Sequence, residues 1–246
     1  MNKKYDELIK YVKQTEALSH ASGLIAWDQE TMMPKGSVLQ RADCLASLES
    51  EIHKRKSNKI ISDLLGEVNT TDLNQEQNSN IQHIERSFLR ASKIPNDLAT
   101  QIAKICSLSQ MSWVEANKTK NTTDFLGYFK EVINLKRQEA QIISKSNNVY
   151  DALIDDFEPG MTSNKLDSIF KNLRPNLINL RQQIIEKKYQ INEIDFIFDK
   201  NIQLEISNHL SELFGYNFDI GRIDISQHPF STGTGNDVRI TTRLDE

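Results

Sequence analysis

The residues best suited to chemistry gather late in the chain. His228-Pro229-Phe230 lies in a stretch of small and polar residues running from Gln227 to Asn236. Directly after it, Asp237, Arg239, Thr241 and Arg243 alternate with Val238, Ile240 and Thr242. A step of two is that of a strand, so the acid, the two guanidiniums and the hydroxyl share one face. Such a face can take a carboxylate on an arginine fork while Asp237 fixes one of the arginines in place. It can also be the outer side of an edge strand, where charge opposes aggregation. His228 precedes a proline, which favours extended backbone. Its imidazole can exchange hydrogen bonds with a ligand near neutral pH, or simply brace a loop.

Metal chemistry has no local motif. The five histidines, His20, His53, His83, His209 and His228, are followed by Ala, Lys, Ile, Leu and Pro. None opens an HExxH sequence, and no two stand one helical turn apart, where both could reach one ion. A metal site in this chain would need ligands from distant segments. His20, His53, His83 and His209 lie in helical stretches and read as surface or half-buried residues. In Trp27-Asp28-Gln29-Glu30-Thr31 the two carboxylates diverge on a helix. That favours a packed Trp27 with Asp28 or Thr31 capping over an acid–base pair. Gly233-Thr234-Gly235 lacks the Gly-Lys-Ser/Thr ending of a phosphate loop and reads as a hairpin loop.

The elements that must position these residues are mostly helices. Apolar residues recur at three- and four-residue steps from Leu8 toward Trp27, from Val38 to Ile52, from Ile81 to Leu89, from Leu98 to Trp113 and from Phe125 to Ile143. Pro95 stands at a first helical position, and Thr123-Asp124 can cap the helix that follows. Tyr150 to Gly160, with four acids and a Pro-Gly turn, breaks the rhythm and predicts a structured connector. Ser163 can cap a helix that Pro175 kinks or restarts toward Ile184 and Tyr189, and a last helix around Leu204–Phe214 ends at Gly215. Beyond Gly215 the period falls to two, at Ile223 and Ile225 and again from Asp237, which predicts a long-looped β-hairpin. The fold class is therefore mainly α, a helical body over 1–215 with a small β-hairpin or sheet over 216–246. No repeat, linker or domain boundary divides it.

Composition bounds the function. With 9 Gly and 5 Pro in 246 residues, turns are too sparse for an all-β protein. A net charge of −4, with cations scattered among acids, argues against nucleic acid, and Lys54-Arg55-Lys56 reads as a solvated helix end. The two cysteines, Cys44 and Cys106, make no disulfide framework. No apolar run approaches the ~20 residues that span a bilayer, and the residues after Met1 carry no signal-like apolar stretch, so a cytoplasmic location is expected.

Four separated segments occur here in an order that resembles the carboxypeptidase Taq family of metallocarboxypeptidases. They are Trp27 to Pro34, Tyr150 to Thr162, His228-Pro229-Phe230, and Asp237-Val238-Arg239-Ile240-Thr241-Thr242-Arg243. The resemblance implies a mostly helical fold with a small sheet, a deep groove and a homodimer. It implies removal of single C-terminal residues from peptide substrates, with zinc, or cobalt or another divalent ion, held by HExxH. Carried onto this sequence, His228, Pro229 and Phe230 become a substrate-groove loop, and Asp237, Arg239 and Thr241 line or brace the same groove. In the family HExxH follows the Asp-x-Arg-x-Thr strand, whereas Leu244-Asp245-Glu246 close this sequence. The expectation is an N-terminal half of the catalytic domain, without catalytic residues or metal ligands of its own and inactive alone. The alternatives are a helical binding module and one half of a split enzyme.

Overall fold

Leu8 shows how the helical body is built. It is fully buried in a cluster with Ile61 and Leu64, and Tyr11, Val12, Leu65, Ile81, Ile84 and Phe88 pack around that cluster. Burying one such leucine stabilises the fold by about 1.5–3 kcal/mol. The computed structural model describes residues 2–145, 148–187 and 199–244. The cluster joins α1 (Lys3–Thr31), α3 (Lys59–Glu67) and α4 (Gln75–Ala91). Asn2 caps α1 by accepting from the Tyr5 amide, and Asn74 with Gln77 forms a capping box on α4.

A second layer pairs α2 (Val38–Lys56) with α5 (Asn96–Thr119). Ala42 and Ala46, one turn apart on α2, are both buried. Gln29 and Ser107 fasten α1 to α5 from inside: the Gln29 amide donates to the Ser107 carbonyl, and the Ser107 hydroxyl donates to Gln29 Oε1 at 2.7 Å. Arg41 of α2 donates to Asp28 and to the Ile25 carbonyl of α1. Asp28 is thus an ion-pair partner and not a cap, while Thr31 bonds back to the Trp27 carbonyl.

The chain divides into two compact units, Met1–Glu139 with Lys200–Asp245, and Ala140–Asp199. The first also holds most of α6 (Thr123–Ile143), and α9 (Lys200–Leu213). In it α9 ends as the glycine predicts: Gly215 has φ 84°, the Gly215 amide donates to Glu212 and the Tyr216 amide to Ser211. In the second unit the connector expected over Tyr150–Gly160 is instead helical, as α7 (Val149–Phe157). Asn148 caps it, and Asp155 accepts from the Gly160 amide to close the turn. Three acids in its nine residues, Asp151, Asp155 and Asp156, hid that helix, whose one buried residue is Ile154. Next, α8 (Ser163–Glu186) is capped by Thr162, one residue before the serine expected, and runs through Pro175 as one helix. Its continuation toward Tyr189 lies outside the described residues.

The sheet departs from the expected hairpin. β1 (Gly221–Ile225) and β3 (Asp237–Thr242) are parallel neighbours, and β2 (Ser231–Thr234) pairs with β3 from the other side, antiparallel. The hairpin is β2–β3, turning through Gly235 at φ 58° and Asn236. Gly233 is obligatory because a Cβ there would meet the Asp237 carbonyl at 2.0 Å. Alternation reveals strands but not their direction, and β2 is too short and glycine-rich to announce itself.

His53 gives the fold a pH dependence. It is buried on α2 against the Ala91 and Ile94 carbonyls, and burial pushes its pKa below the usual imidazole value while those carbonyls oppose the shift. The native ring therefore resists a proton that the unfolded chain accepts. Stability is fully present above the unfolded pKa of about 6.5 and falls as pH drops below it, by at most about 1.4 kcal/mol per pH unit. Urea titrations at stepped pH should show this slope, and His53→Gln should flatten it. An unchanged slope would remove His53 from the account.

Candidate functional site

β3 is the central strand and carries the site. Asp237, Arg239 and Thr241 share one face by alternation, and parallel register brings Arg222 beside Arg239 and Asp224 beside Thr241. This face meets α1 along His20, Gly23 and Trp27, which lie on one side of that helix at steps of three and four. Gly23 marks how near the sheet comes: a Cβ added there would stand in ordinary contact, 3.8 Å from Thr232 Oγ1.

Two like-charged arginines side by side repel unless each is neutralised. Here each is gripped by an aspartate two residues away on its own strand. Arg222 donates from Nε and Nη2 to Asp224 at 2.7 and 2.6 Å, and Arg239 does the same to Asp237 at 2.9 and 3.2 Å. Both guanidiniums also lie over the ring of Trp27, at 5.1 Å for Arg222 and 4.2 Å for Arg239. Trp27 is 6% exposed, so these cation–π contacts are made on a fixed and largely desolvated ring. The Arg239 guanidinium beside Asp237 holds that carboxyl below the usual carboxylate range, with smaller help from His20. His20 lies with Nδ1 2.9 Å from Thr234 Oγ1 and Nε2 3.5 Å from Asp237.

Thr241 ties the face to the His228 loop. It is 3% exposed, and its Oγ1 accepts from the Phe230 amide at 2.8 Å and lies 2.8 Å from Ser226 Oγ. The Thr241 amide donates to the Phe230 carbonyl, and Ser226 Oγ donates to the His228 carbonyl. Pro229 and His228 are exposed and Phe230 is half-buried, so the loop backbone is fixed while its tip is free. The His228 ring stands edge-on to Trp113 with centroids 6.2 Å apart.

Beside His228 opens a pocket of about 370 Å³ between α5 and α6, lined also by Gln110, Trp113, Phe125, Phe129 and Val132. Gln110 donates to Glu30 at 2.7 Å, and burial raises the Glu30 pKa despite that bond and the nearby His228. Asp28 and Glu30 diverge as the helix requires, one to Arg41 and the other to Gln110.

The structure thus brings together Asp237, Arg239 and Thr241, and it hangs His228, Pro229 and Phe230 from Thr241. It adds Arg222, Trp27 and His20, which sequence reasoning passed over or read as structural. The signal for Arg222 was present in Arg222-x-Asp224, a mirror of Asp237-x-Arg239, but it matters only once the two strands are neighbours. The described residues do not suit a divalent metal. No group of three or more His, Cys, Asp or Glu side chains converges among them, and the site histidines are spread over separate partners.

Known proteins share this arrangement of elements. The family model described as Carboxypeptidase Taq (M32) metallopeptidase matches residues 7–246. The chain is 31% identical to thermostable carboxypeptidase 1 of Thermus thermophilus, with 98% of this chain and 51% of that protein covered. It is 29% identical to carboxypeptidase 1 of Bacillus subtilis, over 98% of this chain and 49% of that one. The solved structure of BsuCP superposes with a TM-score of 0.92 at 28% identity, covering 99% of this chain and 50% of that chain. The chain spans about half the length of the curated relatives it matches.

Thr241→Val keeps the shape of the side chain and removes its oxygen. It should cost about 1–3 kcal/mol in urea unfolding, because Phe230 N–H and Ser226 lose a buried partner. Hydrogen exchange at the Phe230 amide should quicken by more than the global loss explains. Exchange that merely tracks global stability would show that Thr241 does not hold the loop.

Proposed function

Because this chain belongs to the Carboxypeptidase Taq (M32) metallopeptidase family, we propose that it forms the substrate-binding wall of a metal-dependent carboxypeptidase. The supporting observation is the face of β3. Its Arg239 is oriented by Asp237 and the Trp27 ring, and the strand continues through Thr241 to a loop whose His228-Pro229 tip is exposed.

An enzyme that removes C-terminal residues must distinguish a free carboxylate from an internal amide. Guanidinium forks do this by charge and by bidentate geometry. On this reading His228, Pro229 and Phe230 flank the bound peptide, Arg239 orders the wall, and Asp237 and Thr241 brace it. Trp113 and the neighbouring pocket supply apolar contact for a side chain. The complete enzyme is then a homodimer acting on peptides in the cytoplasm and dependent on zinc, or on cobalt or another divalent ion in its place. No helix among the described residues is long and apolar enough to cross a membrane. The metal ligands and the general base belong to the half of the family fold that this chain does not span.

The second reading is a non-catalytic binding module, and exposed apolar side chains support it. Along α8, Phe170, Leu173, Leu177, Ile178, Leu180 and Ile184 are each 45–60% exposed. A face of that kind is a surface for protein contact.

The readings separate by reconstitution. The chain should release no amino acid from blocked dipeptides alone. Joined to the part of the Bacillus subtilis relative beyond the match, it should do so, losing activity to a chelator and regaining it with zinc. Release by the isolated chain would sink the division of labour, and a folded but inactive joined protein would favour the binding module. In the joined enzyme Arg239→Ala should lower kcat/KM more than about tenfold, a 1.4 kcal/mol effect. A change within about twofold would remove Arg239 from the wall.

A further inference from the structure

Arg222 is the more open of the two stacked arginines, with its side chain 51% exposed against 19% for Arg239. We infer that Arg222 and Arg239 form a paired-guanidinium site for a single carboxylate, with Trp27 as the positioning residue that holds both. The identification of that carboxylate as a peptide C-terminus rests on the carboxypeptidase reading; the site itself does not.

The donor inventory carries the inference. A guanidinium has five N–H groups. Each of these two spends Nε and one Nη2 hydrogen on its own aspartate, and Nη1 of neither has a hydrogen-bond partner among the described residues. Two amino groups with two donors apiece are thus left over on neighbouring strands in direct register. The aspartates fix one edge of each guanidinium and the indole fixes a face. Little side-chain freedom is left to lose on binding, which is the usual cost of using arginine.

Charge selects the ligand. The two guanidiniums and the two aspartates cancel, and His20 beside Asp237 adds a cation only when protonated. A dianion such as phosphate would face two carboxylates without surplus positive charge to offset them. A carboxylate brings one charge and two coplanar oxygens, a match for two Nη1 groups. The aromatic ring contributes attraction for the guanidiniums without an acceptor that would consume their donors.

The test uses the 246-residue chain itself, titrated with N-acetylphenylalanine, its C-terminal amide and inorganic phosphate. Calorimetry gives affinity, and the arginine Nε–H signals in nitrogen–proton spectra report which guanidiniums respond. The acid should bind and shift both Arg222 and Arg239, and the amide and phosphate should bind at least tenfold more weakly. Arg222→Gln leaves the buried Asp224 without its ion-pair partner and should lower the melting temperature, so its affinity is read well below the transition, where it should lose at least tenfold for the acid. Trp27→Phe should retain most of the binding, and Trp27→Leu should lose both the binding and the ring-induced shifts of the two Nε–H signals. Since Trp27→Leu removes a buried ring and can unfold the chain, Arg222→Gln decides. Acid affinity within twofold of the parent in that variant would overturn the inference. So would an amide or phosphate that binds as tightly as the acid, or an acid that does not bind. None of these readouts needs hydrolysis or metal, so the site can stand where the carboxypeptidase reading fails, and the reverse.

Discussion

Two arginines in register on parallel strands set the constraint around which this site is organised. Left alone, Arg222 and Arg239 would push β1 and β3 apart. The fold answers with an aspartate for each, on the same strand and the same face, and with one buried ring beneath both. That answer places demands on the rest of the unit. Trp27 must be immobile, so α1 is bound to α5 through Gln29 and Ser107 and to α2 through Asp28 and Arg41. The sheet lies close to α1, with Gly23 next to Thr232. The long helices are thereby the footing of a small polar surface.

The same strand delivers a second feature without further machinery. Thr241 is two residues beyond Arg239 and has its hydroxyl inside the protein, where it holds the loop that presents His228 beside Trp113. Rigid backbone with an exposed tip is the property a binding loop needs, since ordering has already been completed in the free protein. The apolar pocket between α5 and α6 and the guanidinium face are therefore reached from one strand, the first through the loop and the second directly.

Among the described residues several large apolar side chains are exposed. Phe157 and Phe214 are 85% and 88% exposed, and α8 shows apolar residues along its length. Relatives about twice as long share this half of their sequence with it. A face of that composition is stable in water only at a cost, which a further polypeptide segment would relieve.

The amino-acid sequence by itself determined the long helices, because burial of one stripe repeats every three to four residues and can be seen in Leu8, Val12, Ile81 and Ile84 without knowing their partners, whereas the nine-residue α3 was too short to show the repeat. It also marked the end of the last helix at Gly215, and it placed Asp237, Arg239 and Thr241 on one face, since both are local backbone facts. It misread Tyr150–Gly160 because acidic residues on an exposed helix look like a connector, and it paired β1 with β3 as a hairpin because alternation has no direction. Only the tertiary structure decided that Arg222 stands beside Arg239, that Trp27 lies under both, and that His20 reaches Asp237 across more than two hundred residues. Those contacts depend on which strand edges meet and on how a helix lies across them. Such pairings arise from the packing of the whole unit, and no short window of sequence contains them.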